Sequence, residues 1–192
     1  LQGEREESWL REMYDKAVKG LVTKLLRAST PSGYAYISLF DGITDVAEMS
    51  HLVCFLPGTL ALGAYTDPNG FQSERAQRDL SLAKALLYTC YEMYHKMPTK
   101  LAPESITFKD GEDFTVTASA NFYMLRPEVV ESLYYLYIIT KEAIYKEWAW
   151  EIFEAVEMYC KTDIGYAAFN DVQNIHSGVN NHMESFFLAE TL

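Results

Sequence analysis

This sequence is short of positive charge. Its 192 residues hold 16 Lys and Arg against 27 Asp and Glu, a formal net charge of −11. Neutralising phosphates takes clustered Lys and Arg. No such cluster occurs, so nucleic acid is excluded as a partner. No apolar run reaches the roughly 18–20 residues that cross a bilayer, so membrane attachment would have to come through a segment not present in this sequence. The start, Leu1 followed by polar Gln2 to Glu7, does not resemble a signal peptide, and a chain that begins mid-protein or after processing is expected. Cysteine is sparse: Cys54, Cys90 and Cys160 are an odd number at spacings that match no zinc pattern. They read either as three buried thiols or as one disulfide and a spare thiol, the second placing the protein in the secretory pathway. The glycan acceptor Asn-x-Ser/Thr never occurs, so no second signal supports that compartment. There is no repeat of fixed period, which disfavours a TPR-type solenoid. Gly33 and Gly42 are isolated turn residues rather than parts of a phosphate loop.

Apolar and aromatic residues are plentiful, at 49% and 14% of the chain, with 14 tyrosines and 10 phenylalanines. That is enough for one globular domain or part of a larger one. Tyrosine pairs a flat apolar face with a hydroxyl, which suits thick cores and sugar-binding clefts alike. Spacings of three and four predict helices over Glu4 to Arg27, Ser73 to Met97, Pro127 to Thr140, Glu142 to Cys160 and Met183 to Leu192. Glu48 to Ala64 reads as a further apolar helix, interrupted at Pro57-Gly58, where a kink or break is expected. Tyr34 to Phe40 is β-like, and Ser105 to Thr117 resembles a hairpin turning at Asp110-Gly111. About six helices in consecutive antiparallel pairs, with short β-hairpins in the loops, predict an all-α array or toroid.

The stretch Leu125-Arg126-Pro127-Glu128-Val129-Val130-Glu131-Ser132 carries the chemistry. Pro127 suits a first helical turn, where its missing N–H costs nothing. At about 3.6 residues per turn Glu128, Glu131, Ser132 and Tyr135 share one face, and the other faces are greasy. A helix apolar nearly all round is normally buried, so its two carboxylates need a polar cavity, a cation or each other. Acidic residues in a first turn often do no more than complement the helix dipole. The apolar surroundings and the neighbouring Arg126 point beyond that. His51, at the head of an apolar run, would by itself be read as a satisfied core histidine.

Four words now stand in one order: Ser50-His51-Leu52-Val53-Cys54-Phe55-Leu56-Pro57-Gly58, Leu101-Ala102-Pro103-Glu104, Leu125 to Ser132, and Met183-Glu184-Ser185-Phe186-Phe187-Leu188-Ala189-Glu190-Thr191-Leu192. Together they resemble the class I α-1,2-mannosidases, glycoside hydrolase family 47, and the first word resembles the endoplasmic-reticulum type. The resemblance implies an (αα)7 toroid of helix hairpins with the active site in its bore. Residues 1–192 would be one segment of that single catalytic domain, about three hairpins, with N- and C-terminal parts missing. It implies a calcium-dependent, inverting hydrolase that trims α-1,2-linked mannose from high-mannose N-glycans in the lumen of the endoplasmic reticulum or Golgi. Glu128 would be the catalytic base that activates water. Arg126, Glu131, Glu104, His51, Phe186 and Glu190 would line the mannose pocket. No direct calcium ligand is expected here; Glu104, Glu128, Glu131 and Glu190 would reach the ion through water. Cys54 and Cys90 match the family disulfide, with Cys160 free, and Glu184 reads as a solvated or capping charge.

An inverting glycosidase needs two carboxyl groups roughly 6.5–9.5 Å apart. Glu128 and Glu131, one turn apart on a helix, are too close to fill both roles. The resemblance puts the general acid and a further carboxylate upstream of Leu1, and a calcium-binding Thr beyond Leu192, so this segment alone should be inactive. The rival expectation is a mannosidase-like protein of glycoprotein quality control that binds glycans with little hydrolysis.

Overall fold

The computed structural model describes residues 8–192; positions 4–7 of the first expected helix lie outside them. Helix α1 runs Ser8–Lys24 and leads into two antiparallel hairpins, β1 (Leu26–Ala28) with β2 (Ala35–Ile37), and β3 (Leu39–Phe40) with β4 (Asp45–Val46). Strand β5 (Glu48–Ser50) then passes directly into a 3-10 turn, His51–Phe55, and helix α2, Leu56–Tyr65. Helix α3 spans Glu74–His95, opened by a Ser73 cap whose side chain accepts from the Ala76 N–H. The expected hairpin is present as β6 (Ser105–Lys109) and β7 (Asp113–Val116), with β5 pairing on the free side of β6. Helices α4 (Glu128–Thr140) and α5 (Ile144–Tyr159), the pair β8 (Lys161–Thr162) and β9 (Gly165–Tyr166), and a π-helical turn at Phe187–Thr191 complete the chain.

Two expectations are corrected. Pro57-Gly58 does not interrupt a helix, because α2 begins at Leu56 and the proline stands in the first turn, where no N–H is needed. The apolar run before it is instead a strand end and a 3-10 turn, whose short spacing mimics helical periodicity. Met183–Leu192 is no regular α-helix but ends in a brief π-helical turn, Phe187–Thr191. In α1, Trp9 and Met13 are more than half exposed, and Val18 is its buried residue.

Helices α2, α3 and α4 meet in the core through Leu60, Ala61 and Ala64, through Ala83, Leu87 and Met93, and through Val129, Leu133 and Leu136. Two glycines allow close approach. A side-chain carbon at Gly58 would lie 3.3 Å from the Ser132 Cα, and one at Gly63 would overlap the Tyr14 hydroxyl of α1. Ser132 uses the first contact twice, accepting from the Gly58 N–H at 3.0 Å and donating to the Cys54 carbonyl at 2.6 Å. A disulfide joins Cys54 in the 3-10 turn to Cys90 in α3, and Cys160 is free and buried. Burial pushes its thiol up to about 12, which keeps it inert. At the foot of α2 the buried Asp67 accepts from Arg11 (3.1 Å) and Arg75 (2.5 Å). The Arg75 hydrogen bond is the main reason its carboxyl falls to about 2.

Helix α4 is less enclosed than its apolar sequence suggests. Tyr134 and Ile138 are 60% and 41% exposed, so one apolar face is open over its second half. Among the described residues no helix is long and apolar enough to cross a membrane.

Candidate active site

Three segments bring the site together. Ser50 ends β5, and its side chain accepts from the Leu52 N–H, starting the 3-10 turn that carries His51. The His51 N–H donates to the Glu104 carbonyl at 2.9 Å, and the Glu104 N–H donates to Ala120. Pairing of β5 with β6 thus places His51 beside Glu104. The third segment enters α4. Leu125 is fully buried with a left-handed backbone, φ 61°, a conformation costing about 1–2 kcal/mol for a residue with a Cβ. That bend delivers Arg126 and Glu128, on either side of Pro127, to the same spot.

Glu128 is buried. Its Oε2 lies 3.0 Å from His51 Nδ1, and its Oε1 lies 3.9 Å from an Arg126 guanidinium nitrogen. Arg126 grips Glu104 with its planar fork, at 3.1 and 3.0 Å from Nε and 2.6 Å from Nη2. Its other neighbour is the Phe186 ring, whose centroid is 5.5 Å away. His51 Nε2 lies 2.7 Å from the Tyr94 hydroxyl. The Tyr94 ring in turn packs edge-on against Tyr123, both nearly fully buried.

Five of the expected site residues therefore form one connected cluster: Glu128, His51, Arg126, Glu104 and Phe186. Glu131 is half-buried one turn further along α4, while Glu190 is exposed on the terminal turn. The two are linked electrostatically: burial raises the Glu131 carboxyl above its ordinary range, and the charges of Glu190 and Glu128 add to this. Glu128 moves the other way. Burial would raise it, but the hydrogen bond with His51 and the charge of Arg126 hold it below the ordinary range. The two carboxylates diverge because only Glu128 has a histidine and an arginine beside it. Glu184 lies 3.3 Å from His182, a surface pair as expected. Phe187 is the buried aromatic of the terminal turn and Phe186 the half-buried one, so Phe186 is not a core residue.

Sequence reasoning passed over Tyr94 and Tyr123. Tyr94 shows only as one more inward position of α3, and Tyr123 lies in an irregular loop. Nothing in their spacing reveals that the Tyr94 hydroxyl reaches His51 or that Tyr123 packs against the Tyr94 ring. Ser132, recognised as polar, proves to be a backbone clamp between α2 and the 3-10 turn. Among the described residues no three His, Cys, Asp or Glu side chains converge as a metal cluster. The carboxylates instead face Arg126, His51 or each other, an arrangement that does not supply the six to eight oxygens calcium requires.

The sequence pattern of glycosyl hydrolase family 47 matches residues 1–192. The chain belongs to that family. It is 44% identical over 182 residues to the mannosyl-oligosaccharide 1,2-alpha-mannosidase MNS1 of Arabidopsis thaliana, covering 95% of this chain and 31% of that protein. It is 40% identical over 199 residues to the endoplasmic reticulum mannosyl-oligosaccharide 1,2-alpha-mannosidase of Rattus norvegicus, covering 100% of this chain and 29% of that protein. The α-1,2-mannosidase from Trichoderma reesei superimposes with a TM-score of 0.82 at 24% identity, over 94% of this chain and 39% of that one, so the family 47 fold is shared. The chain spans less than a third of the length of the two curated relatives.

Proposed function

We propose that this family 47 chain is part of an α-1,2-mannosidase that removes terminal mannose from high-mannose N-glycans, with Glu128 as the base that activates water. In this reading the paired helices are an arc of an (αα)7 toroid, and the Glu128 cluster faces its bore. The observation that carries it is the state of Glu128. Its carboxylate is buried yet stays ionised, because His51 and Arg126 hold the charge from two sides. An ionised carboxylate with one oxygen anchored by His51 keeps lone pairs free to accept a proton from water as the water attacks the sugar carbon. Arg126 and Glu104 brace that position, and Phe186 supplies an apolar face of the kind sugars stack against. Attack from the side opposite the leaving oxygen inverts the anomeric centre, and the proton donor to that oxygen is a second carboxyl about 6.5–9.5 Å away.

The residues described here do not make a direct calcium site, so no step runs through the ion. A calcium requirement would rest on other donors, with Glu131 and Glu190 able to contact its water shell. The rat relative is named for the endoplasmic reticulum, and the Cys54–Cys90 disulfide fits an oxidising lumen.

The test is Glu128→Gln in the full-length protein, which keeps shape and hydrogen bonding but removes the base. Hydrolysis of an α-1,2-mannobioside should fall by roughly 10²–10⁴, with the unfolding temperature nearly unchanged. A variant that turns over at the parent rate would remove the assignment. A parent protein that binds high-mannose glycans without cleaving them would point to a glycan-binding role in glycoprotein quality control instead.

A further inference from the structure

From the hydrogen bonds behind Glu128 we infer that Tyr94 is a positioning residue for catalysis: its hydroxyl donates to His51 Nε2 and so fixes the imidazole with its proton on Nδ1, aimed at Glu128. The inference rests on the mannosidase reading and adds a residue to it.

The two ring nitrogens of a neutral imidazole are one donor and one acceptor. The Glu128 carboxylate, 3.0 Å from Nδ1, only accepts, so the proton belongs on Nδ1 and Nε2 is left as the acceptor. Tyr94, at 2.7 Å, is the partner at Nε2, and its O–H fills the role. Were Nε2 protonated instead, the lone pair would face Glu128 and two acceptors would confront each other. Ring rotation is blocked as well: His51 and Tyr94 are each 1% exposed, and Tyr123 packs against the far side of Tyr94. This is the logic by which a buried third group holds a catalytic side chain in one tautomer and orientation.

The fold invests in this contact. Cys54 follows His51 by three residues, and Cys90 precedes Tyr94 by four, so the disulfide ties the two segments about one helical turn from the hydrogen bond on each side. The Ser132 bond to the Cys54 carbonyl pins the same turn to α4, the helix that carries Glu128. A purely structural tyrosine needs no such alignment with the base.

Tyr94→Phe in the full-length protein removes the hydroxyl and keeps the ring. The expected result is a kcat lower by about tenfold with KM unchanged, and no further loss when Tyr94→Phe is added to His51→Ala, because the effect passes through the imidazole. The inference is overturned by parental kcat in Tyr94→Phe, or by equal losses with and without His51. Nitrogen-15 spectra of the histidine-labelled parent, with His51 assigned by its loss in His51→Ala, need no folded Tyr94 variant. They should show Nδ1 protonated and Nε2 bare; any other protonation pattern overturns the inference. Glu128→Gln run alongside separates the two levels. If it is inactive while Tyr94→Phe is normal, only the role of Tyr94 falls. If it too is fully active, or if the parent hydrolyses nothing, the mannosidase reading falls and takes Tyr94 with it.

Discussion

Glu128 and Glu131 show how two identical side chains one turn apart acquire opposite chemistry. Glu128 sits where a histidine and an arginine compensate its burial; Glu131 has burial and two like charges, with no cation among the described residues to offset them. The linkage signs follow. A carboxyl held below its unfolded value stabilises the fold above that value, and the contribution is lost as pH falls through the folded one. A carboxyl held above its unfolded value favours the fold only while protonated, and that contribution is lost as pH rises through the folded one. Ionised Glu131 therefore works against the fold at neutral pH. Glu131→Gln in the full-length protein should unfold at a higher temperature than the parent at about pH 7, and the advantage should vanish at about pH 3.5, where both carry a neutral side chain. Thermal melts at the two pH values decide it: an advantage that persists in acid would mean that the gain is not electrostatic.

Among the elements, α4 shows most clearly what a sequence does and does not reveal. Its span was legible almost to the residue, because Pro127 marks the start and the apolar run is long. Its polar face was legible too, since the helical spacing groups Glu128, Glu131 and Ser132. Its end at Thr140 was legible as well, but its cap was not: Lys141 takes a left-handed backbone with φ 62° and donates its N–H to the Tyr137 carbonyl. A left-handed cap normally calls for glycine. Lys141 is exposed, so Lys141→Gly relieves the cap without opening the core and should stabilise the protein by about 0.5–1 kcal/mol, read from urea unfolding. Other boundaries were hidden for definite reasons. Strands of two or three residues are too short to show alternation, and the 3-10 turn at His51–Phe55 repeats every three residues, as a helix nearly does. The association of His51 with Glu128 was reached only through a family resemblance, because residues 77 apart in sequence are joined by the packing of α4 on the 3-10 turn, not by spacing. The Cys54–Cys90 bridge holds the same junction between elements. Closing a loop of this separation, 36 residues, contributes roughly 3–4 kcal/mol. The Cys54→Ala/Cys90→Ala protein should lose that much stability in denaturant titration, and kcat should fall with it as His51 and Tyr94 drift out of register. Full retention of kcat at unchanged KM would show that Ser132 and the β5–β6 pairing align the site unaided.

For the whole molecule, the question is whether this stretch can act by itself. The carboxylates nearest Glu128 are Glu104 and Glu131. Glu104 has both oxygens engaged as acceptors by Arg126, so neither is free to donate a proton to a leaving oxygen. Glu131 stands one helical turn from Glu128, where side chains are neighbours at about 5–6 Å between Cβ atoms. That is closer than the roughly 6.5–9.5 Å an inverting pair needs to seat a water between sugar and base. Within the proposed inverting mechanism neither serves as the acid, which leaves the carboxyl pair incomplete among the described residues. The same incompleteness shows in the apolar surface. Tyr134 and Ile138 of α4, and Trp150, Phe153 and Met158 of α5, are all at least 41% exposed, more than a monomer normally leaves open on adjacent helices. Expressed alone, residues 1–192 should therefore bind a dye specific for exposed apolar surface and hydrolyse no α-1,2-mannobioside, while the full-length protein does the reverse. Turnover by the isolated stretch at anything near the full-length rate would place both members of the carboxyl pair within it, and the assignment of Glu104 and Glu131 as bystanders to proton donation would be wrong.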